Sequence, residues 1–199
     1  MRKEKLGVKD WITVGIFATI LLVVKLVTGA LGVVPLLCVL TPEINALVGA
    51  PVYAVFYSKV KGFGMITVLT AILGLIYTIG GYGWPTFVGA LVIGLIADKI
   101  SSIGNYKNKN TYMAGYCVYA LWTVAEYVHI WMAGNSYFEE LSKTMGDEFA
   151  QEFSRLLPWW SVFPMIILTM IVAWIGTLIG KNMMKKHFDR IDNNEYEYN

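Results

Sequence analysis

The sequence predicts an all-α, polytopic membrane protein: six transmembrane helices, both termini in the cytoplasm, and an amphipathic helix in the outer loop between spans five and six. Three observations carry this expectation. The 199 residues are 56% hydrophobic and only 15% charged, against about 25% charged in an average soluble domain. The apolar stretches approach the roughly 20 residues that a helix needs to cross a bilayer. Thirteen of the 16 Lys and Arg residues fall in four segments that an even number of spans puts on one side, and the bias of basic residues toward the inner side makes that side the cytoplasm.

The first span covers residues 11–31, behind Arg2, Lys3, Lys5 and Lys9. A basic start before an apolar run has the outline of a signal peptide, but no small-residue cleavage site follows, so it reads as a retained helix. The second span, 33–57, follows a very short turn near Gly32 and ends before Lys59 and Lys61. Inside it lies "LTPEINALVGAPVY", residues 40–53. Pro42 and Pro51 remove donors, Gly49 weakens a helix, and a buried Glu43 is costly. The segment is therefore expected to be an irregular helix that lines a polar pocket, where protein or cavity water satisfies the freed backbone groups.

Spans three (64–79) and four (85–100) are short, about 16 residues each, or roughly 24 Å of helix, and flank "GGYGWP" at 80–85. Lys99, Lys107 and Lys109 follow on the inner side, and span five covers 112–133. In the long outer loop, 134–158, Ser136 and Glu139 form an S-x-x-E capping box, a helix-start signature. Phe138, Leu141, Met145, Phe149, Phe153 and Leu156 then recur at helical spacing, with Gly146 as an expected break. This is an amphipathic helix on the outer surface, either a lid over a binding site or a solvated loop. Pro158, Trp159 and Trp160 mark re-entry, and span six covers 159–180 before Lys181, Lys185, Lys186 and Arg190. Residues 1–188 form one domain, and 189–199 a polar tail expected to be disordered.

Four ionisable residues fall within spans: Lys25, Glu43, Glu126 and His129. Intramembrane charges face the protein interior or a cavity and mark function by default. At 1.5 Å per residue, Lys25, Glu43 and Glu126 lie within about one helical turn of each other in depth, in the outer half of the bilayer. Lys25 can pair with either acid, and that pair is either merely self-neutralising or part of a site. The surplus carboxylate weakly favours a ligand with cationic or donor nitrogen groups. Tyr119, Trp122, Glu126 and His129 share one face of span five at spacings of three and four, a setting for a flat, partly polar ligand. His129 alone is a weak signal, since a histidine near the interface more often has a structural role. Tyr82 and Trp84 could cover the mouth or serve as interfacial anchors, and Asn45 lies close to Glu43 in sequence.

The net charge of +2 gives no reason to expect nucleic acid. Cys38 and Cys117 have no CxxC or His spacing suited to a metal and read as small buried hydrophobes. No P-loop, HExxH, GxSxG or dinucleotide turn occurs, so neither enzyme nor cofactor is expected. Small residues at Gly15, Ala18 and Thr19, at Ala90 and Gly94, and at Gly176 and Gly180 allow helices to pack closely, within the chain or against a partner.

The segments "VKDWITVGIFATI", "PEINALVGAPVY" and "GGYGWP" followed by "GLIAD", on a six-span chain of this size, resemble the S component of an energy-coupling factor (ECF) transporter, more narrowly the Trep_Strep (MptD-like) group. The resemblance implies a substrate-binding subunit in the bacterial plasma membrane. It would capture a small, water-soluble, vitamin-like nutrient from outside and work with a transmembrane T component and two cytoplasmic ATPases. The solitary subunit is expected to tilt as a body to deliver its cargo. An Ala-xxx-Ala contact with the T component would correspond to Gly15 and Thr19, with Ala18 between them; Thr departs from that pattern. The expected substrate site is Lys25, Glu43, Asn45, Tyr82, Trp84, Trp122, Glu126 and His129. The alternative is a self-sufficient small secondary transporter or channel.

Overall fold

A computed structural model describes the backbone of residues 6–197 and the side chains of 6–180 and 182. The described residues are helical throughout, joined by short turns. Four helical stretches are long and apolar enough to cross a membrane: Val8–Val33, Met65–Tyr82, Trp84–Ile103 and Trp159–Gly180. They contain α1 (Val8–Gly29), α5 (Met65–Tyr77), α6 (Trp84–Ile103) and the first part of α12 (Val162–Glu197). The regions expected as spans two and five are instead segmented. The first is α2 (Pro35–Val39), α3 (Thr41–Val48) and α4 (Ala50–Tyr57); the second is α7 (Lys109–Ala120), α8 (Trp122–Ala125) and α9 (Val128–Ala133). Outside them lie α10 (Asn135–Met145) and α11 (Asp147–Leu156). The α12 backbone runs through the polar segment set apart as a tail.

The proline positions explain the first set of breaks. Pro35, Pro42 and Pro51 each stand in the first turn of their short helix, where a missing N–H costs least. The chain bridges the breaks with Ile44 N–H donating to Leu40 O at 3.0 Å and Tyr53 N–H to Gly49 O at 2.9 Å. Pro42 still cannot donate to Cys38 O, four residues back. That carbonyl accepts from the Tyr127 hydroxyl at 2.5 Å, and Ala46 O, at the second break, accepts from Tyr116 at 2.7 Å. Tyrosines of the second broken segment thus satisfy carbonyls of the first. A membrane interior requires such replacement, because lipid offers no hydrogen bonds.

The helices close into a ring: α1 packs on α5, α5 on α6, α6 on α7, α7 on α12, α12 on α3 and α4, and these back on α1. Small residues set the close approaches. A methyl group on Gly74 would stand 2.5 Å from Ala90 Cβ, and one on Gly176 2.8 Å from Ala50 Cβ. The expected patches on α6 and α12 are therefore internal packing, the usual use of small residues between membrane helices. The ring is filled by tyrosines: Tyr53 meets Tyr119 at 4.4 Å and Tyr116 at 4.8 Å between ring centres. Near the opposite end of the bundle, Asp98 is fully buried on α6 and caps α5. It accepts from Gly64 N at 2.8 Å, Thr67 N at 3.0 Å, Thr67 Oγ1 at 2.9 Å and the Tyr106 hydroxyl at 2.7 Å. A carboxylate is favourable at a helix N-terminus.

Two local expectations are corrected. Spans three and four are not short: the stretches have 18 and 20 residues, because the chain keeps a π-type turn over Thr78–Tyr82 where the glycines read as loop. Ser136 is not the cap of α10. Gly134, at φ 57° and ψ −133°, caps the helix two residues earlier, in a region that glycine enters at least cost, and the Ser136 hydroxyl donates back to Ala133 O. Gly146, at φ 91°, does separate α10 from α11.

Tyr127→Phe should lower stability by roughly 1–3 kcal/mol by orphaning Cys38 O. In a Pro42→Ala background the loss should shrink, because residue 42 regains its N–H. Thermal unfolding in detergent of the two single variants and the double variant checks this coupling.

Candidate functional site

The two broken segments meet where irregular backbone is tolerated, facing protein rather than lipid. Lys25, on α1, is 3% exposed, and Glu126, in the bend between α8 and α9, is also 3% exposed. The Lys25 Nζ lies 2.5 Å from Glu126 Oε1, a charge-assisted contact between the two buried groups. The same ammonium sits 4.6 Å from the ring centres of both Tyr77 and Trp122. A cation over two aromatic faces is held electrostatically by their quadrupoles. The two charges thus offset each other, and rings box the ammonium.

A cavity of about 30 Å³ adjoins it, lined among others by Lys25, Asn45, Tyr116, Tyr119, Trp122 and Thr123. That is room for water-sized contents. Asn45 accepts from Thr28 Oγ1 at 2.8 Å and donates to Thr41 O at 2.8 Å, which leaves it one amide hydrogen. The Tyr116 and Thr123 hydroxyls donate to Ala46 O and Ala120 O, both at 2.7 Å, so their oxygens keep acceptor capacity.

The expected residues divide into groups. Lys25, Asn45, Trp122 and Glu126 come together. Glu43 lies apart from the ion pair: Thr169 Oγ1 donates to its Oε1 at 3.1 Å, and its Oε2 is buried without a hydrogen-bond partner. Of the two acids open to Lys25 in the sequence, the structure selects Glu126. His129 and Tyr82 stack edge to face at 5.7 Å, and Tyr82 meets Tyr77 at 4.9 Å. They connect the pair to the outer helix α10, where Tyr137 lies 5.4 Å from His129. Trp84 is 64% exposed and makes no ring contact among the described residues. Over the outer side, Phe153 and Leu157 are buried in a cluster with Val124, Tyr127, Ile130 and Met165, so α11 is packed down, while α10 has no fully buried residue and leans on the cluster through Tyr137, Phe138 and Leu141. Along α1, Ala18 faces the core, whereas Gly15 has open space at its Cβ and Thr19 is exposed.

Sequence reasoning missed Tyr77, Thr28 and Thr169. An aromatic or hydroxyl residue in an apolar run carries no local sign of the partner it will meet. Asp98 was findable as a fifth ionisable residue within a span.

Removing one partner of the pair strands a buried charge, so Glu126→Leu or Lys25→Met alone should cost roughly 3–5 kcal/mol, and the double variant should recover most of it. Unfolding of the three proteins in detergent checks this; additive losses would mean that the two groups are not coupled.

No curated relative and no solved structure matches the chain. A family model described as "Hypothetical bacterial integral membrane protein (Trep_Strep)" matches residues 8–190. With nearly the whole chain matched and four apolar helices long enough to cross a membrane, the protein belongs to the Trep_Strep family of bacterial integral membrane proteins and is a multi-pass protein of the cell membrane.

Proposed function

We propose that this chain is the substrate-binding S component of an ECF-type importer. In this reading it has six spans, the two broken segments counting as spans two and five, with both termini in the cytoplasm. It takes a small, water-soluble nutrient from outside and delivers it through a transmembrane T component and two cytoplasmic ATPases. It is not itself an enzyme. The observation that carries the reading is the buried Lys25–Glu126 pair, set beside a cavity with aromatic walls where two broken helices meet. Buried ionisable groups and interrupted helices are costly in lipid and mark binding sites and pathways in membrane proteins. Lys25, Asn45, Trp122 and Glu126 form the inner site, Tyr82 and His129 its outer approach, with Glu43 behind it and Trp84 at the rim. Energy comes from other subunits, since the chain has no nucleotide-binding motif.

The Gly15 and Thr19 face of α1 is the proposed contact with the T component. Because a side chain at Gly15 meets no atom of this chain within 4 Å, Gly15→Leu tests that face without disturbing the core. A tagged wild-type chain should bring down a T component and two ATPases, and Gly15→Leu should lose them while its thermal unfolding is unchanged. Transport by this chain alone in liposomes, driven by an ion gradient and indifferent to ATP, would instead make it a self-sufficient transporter.

A further inference from the structure

The cavity beside Lys25, about 30 Å³, holds only water-sized contents. The inner site is therefore closed in this structure, and a nutrient reaches it only after part of the chain moves. Exposure falls along one line of aromatic contacts from the surface to the ion pair: Tyr82 is 40% exposed, Tyr77 9% and Lys25 3%. Tyr82 lies 4.9 Å from Tyr77 between ring centres, and Tyr77 covers the Lys25 ammonium at 4.6 Å. Tyr82 also meets His129 edge to face at 5.7 Å, and His129 meets Tyr137 of α10 in the same way at 5.4 Å. Edge-to-face rings attract one another, so Tyr137, His129 and Tyr82 close over Tyr77 as one set.

The three rings are held unequally. His129 is tied to the bend, its Nδ1 2.5 Å from Glu126 O. Tyr82 ends the π-type turn that contains Gly80 and Gly81, and an added Cβ on either glycine would meet no atom within 4 Å. Tyr137 rides on α10, which stands between Gly134 at φ 57° and Gly146 at φ 91°, both likewise in open space. α10 has no fully buried residue, whereas α11 buries Ala150 and Phe153. Glycine absorbs the backbone rotation of a hinge at least steric cost, and an element with few buried contacts opens before its better-packed neighbours.

We propose that α10 is the gate of the site. It pivots between Gly134 and Gly146 while α11 stays packed, and the partly buried Phe138 and Leu141 leave the outer cluster with it. Tyr137 then withdraws from His129, and Tyr82 is free to turn away from Tyr77 and uncover Lys25. This deepens the proposed role as a binding subunit and rests on it.

A reporter thiol on the cavity wall tests the gate without a known substrate. Ala120 lines the cavity and is 2% exposed, so Ala120→Cys, in a chain with Cys38→Ala and Cys117→Ala, places the thiol behind the rings. A methanethiosulfonate carrying a trimethylammonium group is too large for the closed cavity and labels the thiol only on opening; mass spectrometry in detergent reads the rate. Tyr137→Ala should raise that rate about tenfold or more, with thermal unfolding near that of the parent, while Trp84→Ala, at the rim, should change it by less than about twofold. An unchanged rate with Tyr137→Ala, or an equal rise with Trp84→Ala, overturns the gate. Hydrogen exchange on the unmodified protein gives a second measurement that no variant can spoil: α10 amides should exchange faster than those of α11, and equal protection of the two helices overturns the proposal as well. Neither measurement needs a partner, so co-purification of the T component and ATPases decides the binding-subunit reading separately.

Discussion

Lys25 and Glu126 are almost fully buried inside the helical ring. Each alone would cost several kcal/mol to bury; together they are tolerated only if their surroundings are fixed. The fixing is visible on every side. Tyr77 and Trp122 press their faces on the ammonium, and the bend at Glu126 aims the carboxylate across to α1. The bend is held partly by His129, whose Nδ1 lies 2.5 Å from Glu126 O. Loosening any one of these would leave a charge facing hydrocarbon, so the pair links the geometry of α1, α5 and the second broken segment.

That bend needs a helix that is not straight, and broken helices in a membrane need substitute hydrogen bonds. The two irregular segments supply them to each other. Tyr116 and Tyr127 project from one segment to carbonyls at the two breaks of the other. Pro42 therefore does more than interrupt: it leaves Cys38 O without its helical donor, and the bonds to Cys38 O and Ala46 O join the first segment to the one carrying Trp122 and Glu126. Thr28 and Asn45 add a third tie, from α1 to α3. The cavity lies where these ties converge.

The rest of the ring is rigid by contrast. Small residues bring α5 to α6 and α12 to α4 at distances that leave no room for a methyl group, and Asp98 anchors the start of α5 through three hydrogen bonds and accepts a fourth from Tyr106. This close packing uses the buried faces of these helices. It also leaves the outward face of α1, with Gly15 and Thr19, as a small-residue surface not consumed by the chain's own packing.

The sequence by itself determined the membrane character, the helical class, the irregularity of residues 40–53, the break at Gly146 and the inward placement of Lys25 and Glu126. Each of these follows from local chemistry: apolar length, proline and glycine, and the cost of a charge in lipid. The tertiary structure alone decided that Glu126 rather than Glu43 takes Lys25, and that Tyr77 completes the box. It also decided that Ala18 faces inward while Gly15 does not, and that Tyr127 takes up the carbonyl that Pro42 leaves without a donor. Helical periodicity gives depth and face within one helix, but it carries no information about which neighbour the face will meet. That neighbour is set by the order of helices around the ring and by how closely small residues let them approach, and both are properties of the whole packed bundle.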